Sequence, residues 1–126
     1  MQKALILFAH GARDPEWARP VQAVAQRLQT LNPDLVIGMA FLEFMQPTLN
    51  GAIAKIVEQA KVDVVQIDIL PFFVAQGGHL RQDVPPMLEQ IQREHAHLQL
   101  RLLPPLGELP TVQDAMATAI TRLLSA

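Results

Sequence analysis

The 126-residue chain contains no cysteine, which excludes disulfides, thiolate metal sites, iron–sulfur clusters held by this chain and a cysteine nucleophile. Any metal it binds must be held by His, Asp or Glu. A basic excess is also missing: ten Lys and Arg stand against twelve Asp and Glu, for a net charge of −2, which is not the balance of a nucleic-acid binder. Long hydrophobic runs are absent. The most apolar stretch, Val62 to Val74, is broken by Asp63, Gln66, Asp68 and Pro71 and falls short of the ~20 apolar residues of a membrane span. Neither G-x-G-x-x-G nor G-x-x-x-x-G-K-[ST] occurs, which removes the main signals of dinucleotide and P-loop nucleotide binding. The apolar run Ala4 to Ala9 is too short for a signal-peptide h-region and leads into His10-Gly11. A cytoplasmic protein with no nucleic-acid or membrane partner is expected.

What is present is a regular alternation. Half the residues are hydrophobic, and a chain of this length buries roughly two-thirds of its unfolded surface as one domain. Short apolar runs at Lys3 to Ala9, Leu35 to Phe41, Val62 to Leu70 and His97 to Leu103 read as strands. Between and after them lie stretches of helical period. Asp14-Pro15 opens the first helix, with Trp17, Val21, Val24, Ala25, Leu28 and Leu31 on its inner face, and Asn32-Pro33 ends it. Pro47 begins the second helix, Val84, Met87, Leu88 and Ile91 mark the third, and Thr111 with Asp114 reads as the capped start of the fourth. Val112, Ala115, Met116, Ala119, Ile120 and Leu123 are expected to form a buried stripe on that last helix. Four βα units predict a single α/β, flavodoxin-like domain: a four-stranded parallel sheet in 2-1-3-4 order with helices on both faces.

Ligands of such sheets bind beyond the carboxyl ends of the strands, so the residues just after each apolar run carry the functional argument. His10 follows the first run, Glu43 the second, and His79 the loop Pro71 to Gly78 after the third. With neighbouring strands about 4.8 Å apart, three such side chains converge on one edge. Two imidazoles and a carboxylate suit a divalent first-row metal. Gly77-Gly78 before His79 permits close ligand approach. Arg13 and Arg81, each a few residues past a candidate ligand, are placed to meet a carboxylate on a bound molecule. Asp14 and Asp83 read as helix-start carboxylates, and His95 and His97 as structural, His95 on the apolar stripe of the third helix.

Three motifs in order, His10-Gly11-Ala12-Arg13-Asp14-Pro15, Phe41-Leu42-Glu43 with Pro47, and Pro71-Phe72-Phe73-Val74 leading to Gly78-His79 and Asp83-Val84-Pro85, carry a family likeness. The chain resembles the short class II tetrapyrrole chelatases, specifically the sirohydrochlorin cobaltochelatase family of cobalamin biosynthesis, over nearly its whole length, so that 1–126 forms one chelatase domain. Ala12 departs from the serine frequent there. The resemblance implies ATP-independent insertion of Co²⁺ into sirohydrochlorin, with Fe²⁺ (sirohaem) or Ni²⁺ as alternatives, the metal being a substrate and no cofactor permanently bound. It implies His10 and His79 as metal-binding and proton-accepting residues and Glu43 as the acidic metal-site residue. Phe44, Phe72 and Phe73 are expected to pack on the macrocycle beside Gly78, with Arg13 and Arg81 on its carboxylates. Because longer relatives carry two homologous halves, a homodimer is expected. A non-enzymatic metal or tetrapyrrole carrier would use the same ligands.

Overall fold

The structure is a computed structural model that describes residues 2–60, 63–73 and 78–125; the side chains of 2 and 78–81 fall outside the description. Strand β1 (Gln2–Ala9) is the centre of the molecule, flanked by β2 (Val36–Phe41) and β3 (Val64–Pro71), with β4 (Gln99–Leu102) outermost. All pairings are parallel, in the order β2-β1-β3-β4. This is the sheet that the alternation of strand and helix predicts.

A parallel sheet covered on both faces needs strands that are apolar on both sides, and β1 meets this with Ile6, Leu7, Phe8 and Ala9 all buried. Alternate residues serve opposite layers. Ala4, Ile6 and Phe8 join Ile67 and Ile69 of β3 beneath helices α2 (Leu49–Gln59) and α3 (Gly78–Glu94). Leu7 and Ala9 pack with Val21 of α1 (Arg19–Leu31) on the other face.

Several elements begin or end elsewhere than the sequence suggests. Asp14 is an N-cap, accepting from the Glu16 amide at 3.0 Å, but what it caps is a 3₁₀ turn, Pro15–Ala18, that precedes α1. That extra turn rotates Trp17 outwards, and Leu31 at the far end of α1 is exposed as well. Helix α2 starts after Pro47 because Thr48 is its N-cap, its hydroxyl accepting from the Gly51 amide at 3.1 Å. Helix α3 starts at Gly78, so His79 is helical, Asp83 lies past the first turn, and part of the expected loop, 74–77, lies outside the described residues. His95 is not on a helical stripe: α3 ends at Glu94, and His95 sits half-buried in the following turn, its ring 6.3 Å from that of His97. Helix α4 (Pro110–Ser125) begins before Thr111 and has no buried residue at all, contrary to the expected buried stripe. No helix among the described residues is long and apolar enough to cross a membrane.

On the α1 side of the sheet, Asp68 of β3 takes two hydrogen bonds from Arg101 of β4, at 3.0 and 2.8 Å, and one from Gln66 at 2.7 Å. Burial alone would raise the Asp68 carboxyl, but the bonds from Arg101 and Gln66 and the charges of Arg101 and Lys3 together hold it below the usual carboxylate range. A carboxyl depressed on folding contributes stability above its unfolded value of about 3.9 and loses it as pH falls through the folded value. Arg101→Gln is therefore expected to lower the melting temperature at pH 7 and to leave it close to parental near pH 2; equal losses at both values would contradict this account of the pair.

Candidate functional site

The strand register builds the site. Ala9 pairs with Phe41 at the end of β1 and β2, and the two chains stay zipped beyond the sheet: the Leu42 amide donates to the Ala9 carbonyl at 2.9 Å and the Glu43 amide to the His10 carbonyl at 3.1 Å. Side chains that leave the sheet at His10 and Glu43 are thereby neighbours. His10 Nε2 lies 2.9 Å from Glu43 Oε1, with the two side chains 49% and 48% exposed. The pair is therefore preorganised by backbone hydrogen bonds while remaining open to a ligand.

Gly11 makes this approach feasible. It has φ +95° and is buried, and a Cβ built there would stand 2.0 Å from the Glu43 carbonyl oxygen. No side chain fits between the two exit loops, and the positive φ independently favours glycine. Gly11→Ala is expected to cost about 2 kcal/mol or more in folding stability and to push the Glu43 loop away from His10. Denaturant unfolding would measure the first effect and Co²⁺ titration the second. The sequence signal for this role is only a glycine directly after the strand-end histidine.

The loop then turns sharply. Phe44 adopts φ 67°, unusual for a residue with a side chain, and stands 58% exposed. The Arg13 guanidinium carbon lies 5.0 Å from the Phe44 ring centroid, within cation–π range. An aromatic face and a cation thus adjoin the histidine–carboxylate pair.

The other expected contact residues are arranged differently. Phe72 and Phe73 are half-buried: Phe72 packs on the cluster under α1 and donates its amide to the Phe8 carbonyl at 2.7 Å, while the Phe73 ring lies 6.4 Å from that of Phe8. Both are partly core. His79 and Arg81 occupy the first turn of α3, behind Gly78, and their side chains are outside the described residues. Among the described residues His10 and Glu43 are not joined by a third His, Asp or Glu in a metal-sized cluster. A groove of about 730 Å³ runs along the open edge of β2, lined by Met39, Phe41, Met45, Gln46, Pro47 and Lys55 among others. The groove does not include the pair, which sits on the open strand-end surface beside it.

The histidine–carboxylate pair lies at the carboxyl edge of the sheet, the edge at which doubly wound α/β folds bind ligands. The CbiX family model matches residues 4–123, and the chain belongs to the CbiX family. It is 30% identical over 92 residues to the sirohydrochlorin cobaltochelatase of Methanococcus aeolicus, a match covering 73% of this chain and 62% of that protein. To the sirohydrochlorin cobaltochelatase of Sulfolobus acidocaldarius it is 25% identical over 121 residues, covering 96% and 92%. The chain thus spans less than two-thirds of the length of the methanogen relative, and almost all of the Sulfolobus one. Among solved structures, a CbiX protein from Marinobacter aquaeolei VT8 superposes with a TM-score of 0.84 at 29% identity, covering 98% of both chains. The sirohydrochlorin chelatase SirB from Bacillus subtilis subspecies spizizenii, in complex with cobalt, matches with a TM-score of 0.72 at 19% identity, over 84% of this chain and 44% of that one. This second likeness is one of fold.

Proposed function

We propose that the chain inserts a divalent metal, Co²⁺ first, into sirohydrochlorin without ATP, acting in the cytoplasm as a homodimer with the metal as substrate. The observation that carries the reading is the 2.9 Å separation of His10 Nε2 and Glu43 Oε1. Nitrogen and oxygen ligands lie about 2.0–2.2 Å from a first-row divalent ion, so two ligands at right angles around it are about 3 Å apart. At that spacing both side chains could hold one metal ion with little movement of either. The names of the family relatives support cobalt and sirohydrochlorin in particular.

Metal insertion releases two protons: the free-base macrocycle gives up two pyrrole N–H protons as M²⁺ takes their place, and the overall charge balances. The site needs a holder for the incoming ion and a base for the departing protons. Glu43 and His10 supply the holder. A neutral imidazole accepts a proton readily, a role for His79 or for His10 once it has released the metal. Phe44 offers the macrocycle an exposed ring, and Arg13 beside it a partner for the peripheral carboxylates. Phe72, Phe73, Gly78 and Arg81 complete the proposed substrate surface. Phe44→Ala is expected to weaken tetrapyrrole binding about tenfold, or ~1.4 kcal/mol of stacking, with little effect on melting.

The openness of the site supports the dimer. Half-exposed ligands on one strand-end surface form one wall of a cleft, and a second copy would supply the facing wall under two-fold symmetry. The reading is tested by mixing purified protein and sirohydrochlorin with Co²⁺, Fe²⁺ and Ni²⁺ in separate reactions. Fastest metallation with Co²⁺ is expected. Faster insertion of another ion would reassign the metal, and no acceleration with any of them would reject the chelatase.

A further inference from the structure

Strand β2 ends the sheet on one side, and among the described residues no strand pairs with its outer edge. Successive residues of a strand turn their amide and carbonyl groups to opposite edges. The Leu42 amide turns inwards to the Ala9 carbonyl, whereas the Phe41 amide turns the other way and donates to the Pro47 carbonyl at 2.9 Å. The odd-numbered residues of β2 therefore face out. Just before the strand, the Leu35 amide donates to the Asn32 carbonyl at 3.1 Å, and the Leu35 carbonyl accepts from Gln29 Nε2 at 2.9 Å. Both ends of the edge are thus closed by the chain itself. Between them the amides and carbonyls of Ile37 and Met39 face outwards with no partner among the described residues.

Those free groups lie on the floor of the groove of about 730 Å³. One wall is the 3₁₀ turn and α1, with Ala18 and Gln22, and the other is α2, with Ala52, Lys55 and Gln59. Met39 packs on the α1 side and Gly38 faces Ile56 of α2, so apolar surface flanks the free groups on both sides. Lys55 is exposed and is the only charged residue of the lining. Open sheet edges are commonly blunted by charges, a proline or a bulge. The β2 run, Val36 to Phe41, contains no charge and no proline, and its register with β1 is unbroken.

The chemistry of the edge selects its occupant. Backbone donors and acceptors that alternate at the spacing of a strand are matched by another backbone in extended form. Walls on both sides admit one extended segment at about 4.8 Å from β2, whereas the corresponding edge of a second copy is walled in the same way. A single positive charge on the rim selects an acidic side chain opposite it. We propose that the β2 edge is a strand-addition site for a partner protein. An extended segment that alternates apolar and acidic residues pairs with the backbone of Ile37 and Met39, lays its apolar side chains towards Met39 and Met45, and turns a carboxylate to Lys55. From Val36 to Ala40, at ~3.3 Å per residue, the open edge seats about five residues of that segment. The groove ends at Met45 and Gln46, on the loop that carries Glu43, so a protein docked in this way stands beside the strand-end pair without entering it.

The probe is a short acetylated peptide of alternating valine and glutamate, titrated into the full-length chain. Amide hydrogen exchange should slow at Ile37 and Met39 as the peptide is added, with the Phe41 and Leu42 amides, already bonded in the free chain, as internal references. N-methylation of one alternate set of peptide amides should abolish binding, and methylation of the other set should leave it intact, because only one edge of the added strand faces β2. Lys55→Glu should weaken the peptide about tenfold and turn the preference to a valine–lysine counterpart. Exchange at Ile37 and Met39 that the peptide leaves unchanged, or equal binding of the two methylated peptides, would overturn strand addition. Parental affinity in Lys55→Glu would overturn the acidic specificity. Protection of the two amides in the peptide-free chain, growing with protein concentration, would place a second copy on the edge and overturn the partner segment.

Discussion

His10→Ala is expected to slow metal insertion by about 10²–10⁴-fold, the usual cost of losing a positioned proton acceptor, with a loss of metal affinity on top. The fold should survive, because the His10 side chain is about half exposed and its backbone, not its ring, carries the hydrogen bond that joins the two exit loops. Initial rates measured against Co²⁺ concentration separate the two losses. A defect that excess Co²⁺ repairs belongs to the ligand, and one that persists at saturation belongs to the base. His79→Ala should give a loss of the same order, divided differently between rate and affinity. His95→Ala should metallate at the parental rate, since His95 lies in the turn after α3, beside His97 and away from the strand-end pair. Parental turnover in both His10→Ala and His79→Ala would reject the mechanism.

Glu43→Gln is the second large effect. The substitution removes one charge at nearly constant volume, so the loop geometry set by Gly11 and the backbone should persist. Loss of a partner one step removed from a metal typically weakens affinity 10–100-fold, and loss of a direct carboxylate ligand should do at least as much. Calorimetric Co²⁺ titration of parent and variant measures it. A variant that binds Co²⁺ with parental affinity would make Glu43 a positioning partner of His10 rather than a metal ligand.

The sheet was legible because its signal is compositional: four apolar runs separated by helical stretches have few arrangements, and the 2-1-3-4 order is the one observed. The juxtaposition of His10 and Glu43 followed from the same rule, as both leave adjacent parallel strands at the same edge. Residue type alone could not say which aromatics face a ligand. Phe44 is presented outwards by a positive φ, whereas Phe72 and Phe73 are tied to Phe8 by a backbone bond and a ring contact. Trp17 was misplaced because the 3₁₀ turn changes the angular step per residue ahead of α1. His95 was misplaced because a helical period continues on paper past a helix that ends at Glu94. The stripe of α4 is the instructive case: periodicity reports that a helix has an apolar face but not that the domain's own sheet buries it, and here the stripe stays exposed.

The account stands most directly on turnover. Sirohydrochlorin and Co²⁺ in excess over the chain, followed to completion against a protein-free control, should yield many metallated macrocycles per chain at an initial rate proportional to protein concentration. One macrocycle or fewer per chain, with no gain over the control, would contradict catalysis and show a carrier of metal or tetrapyrrole instead.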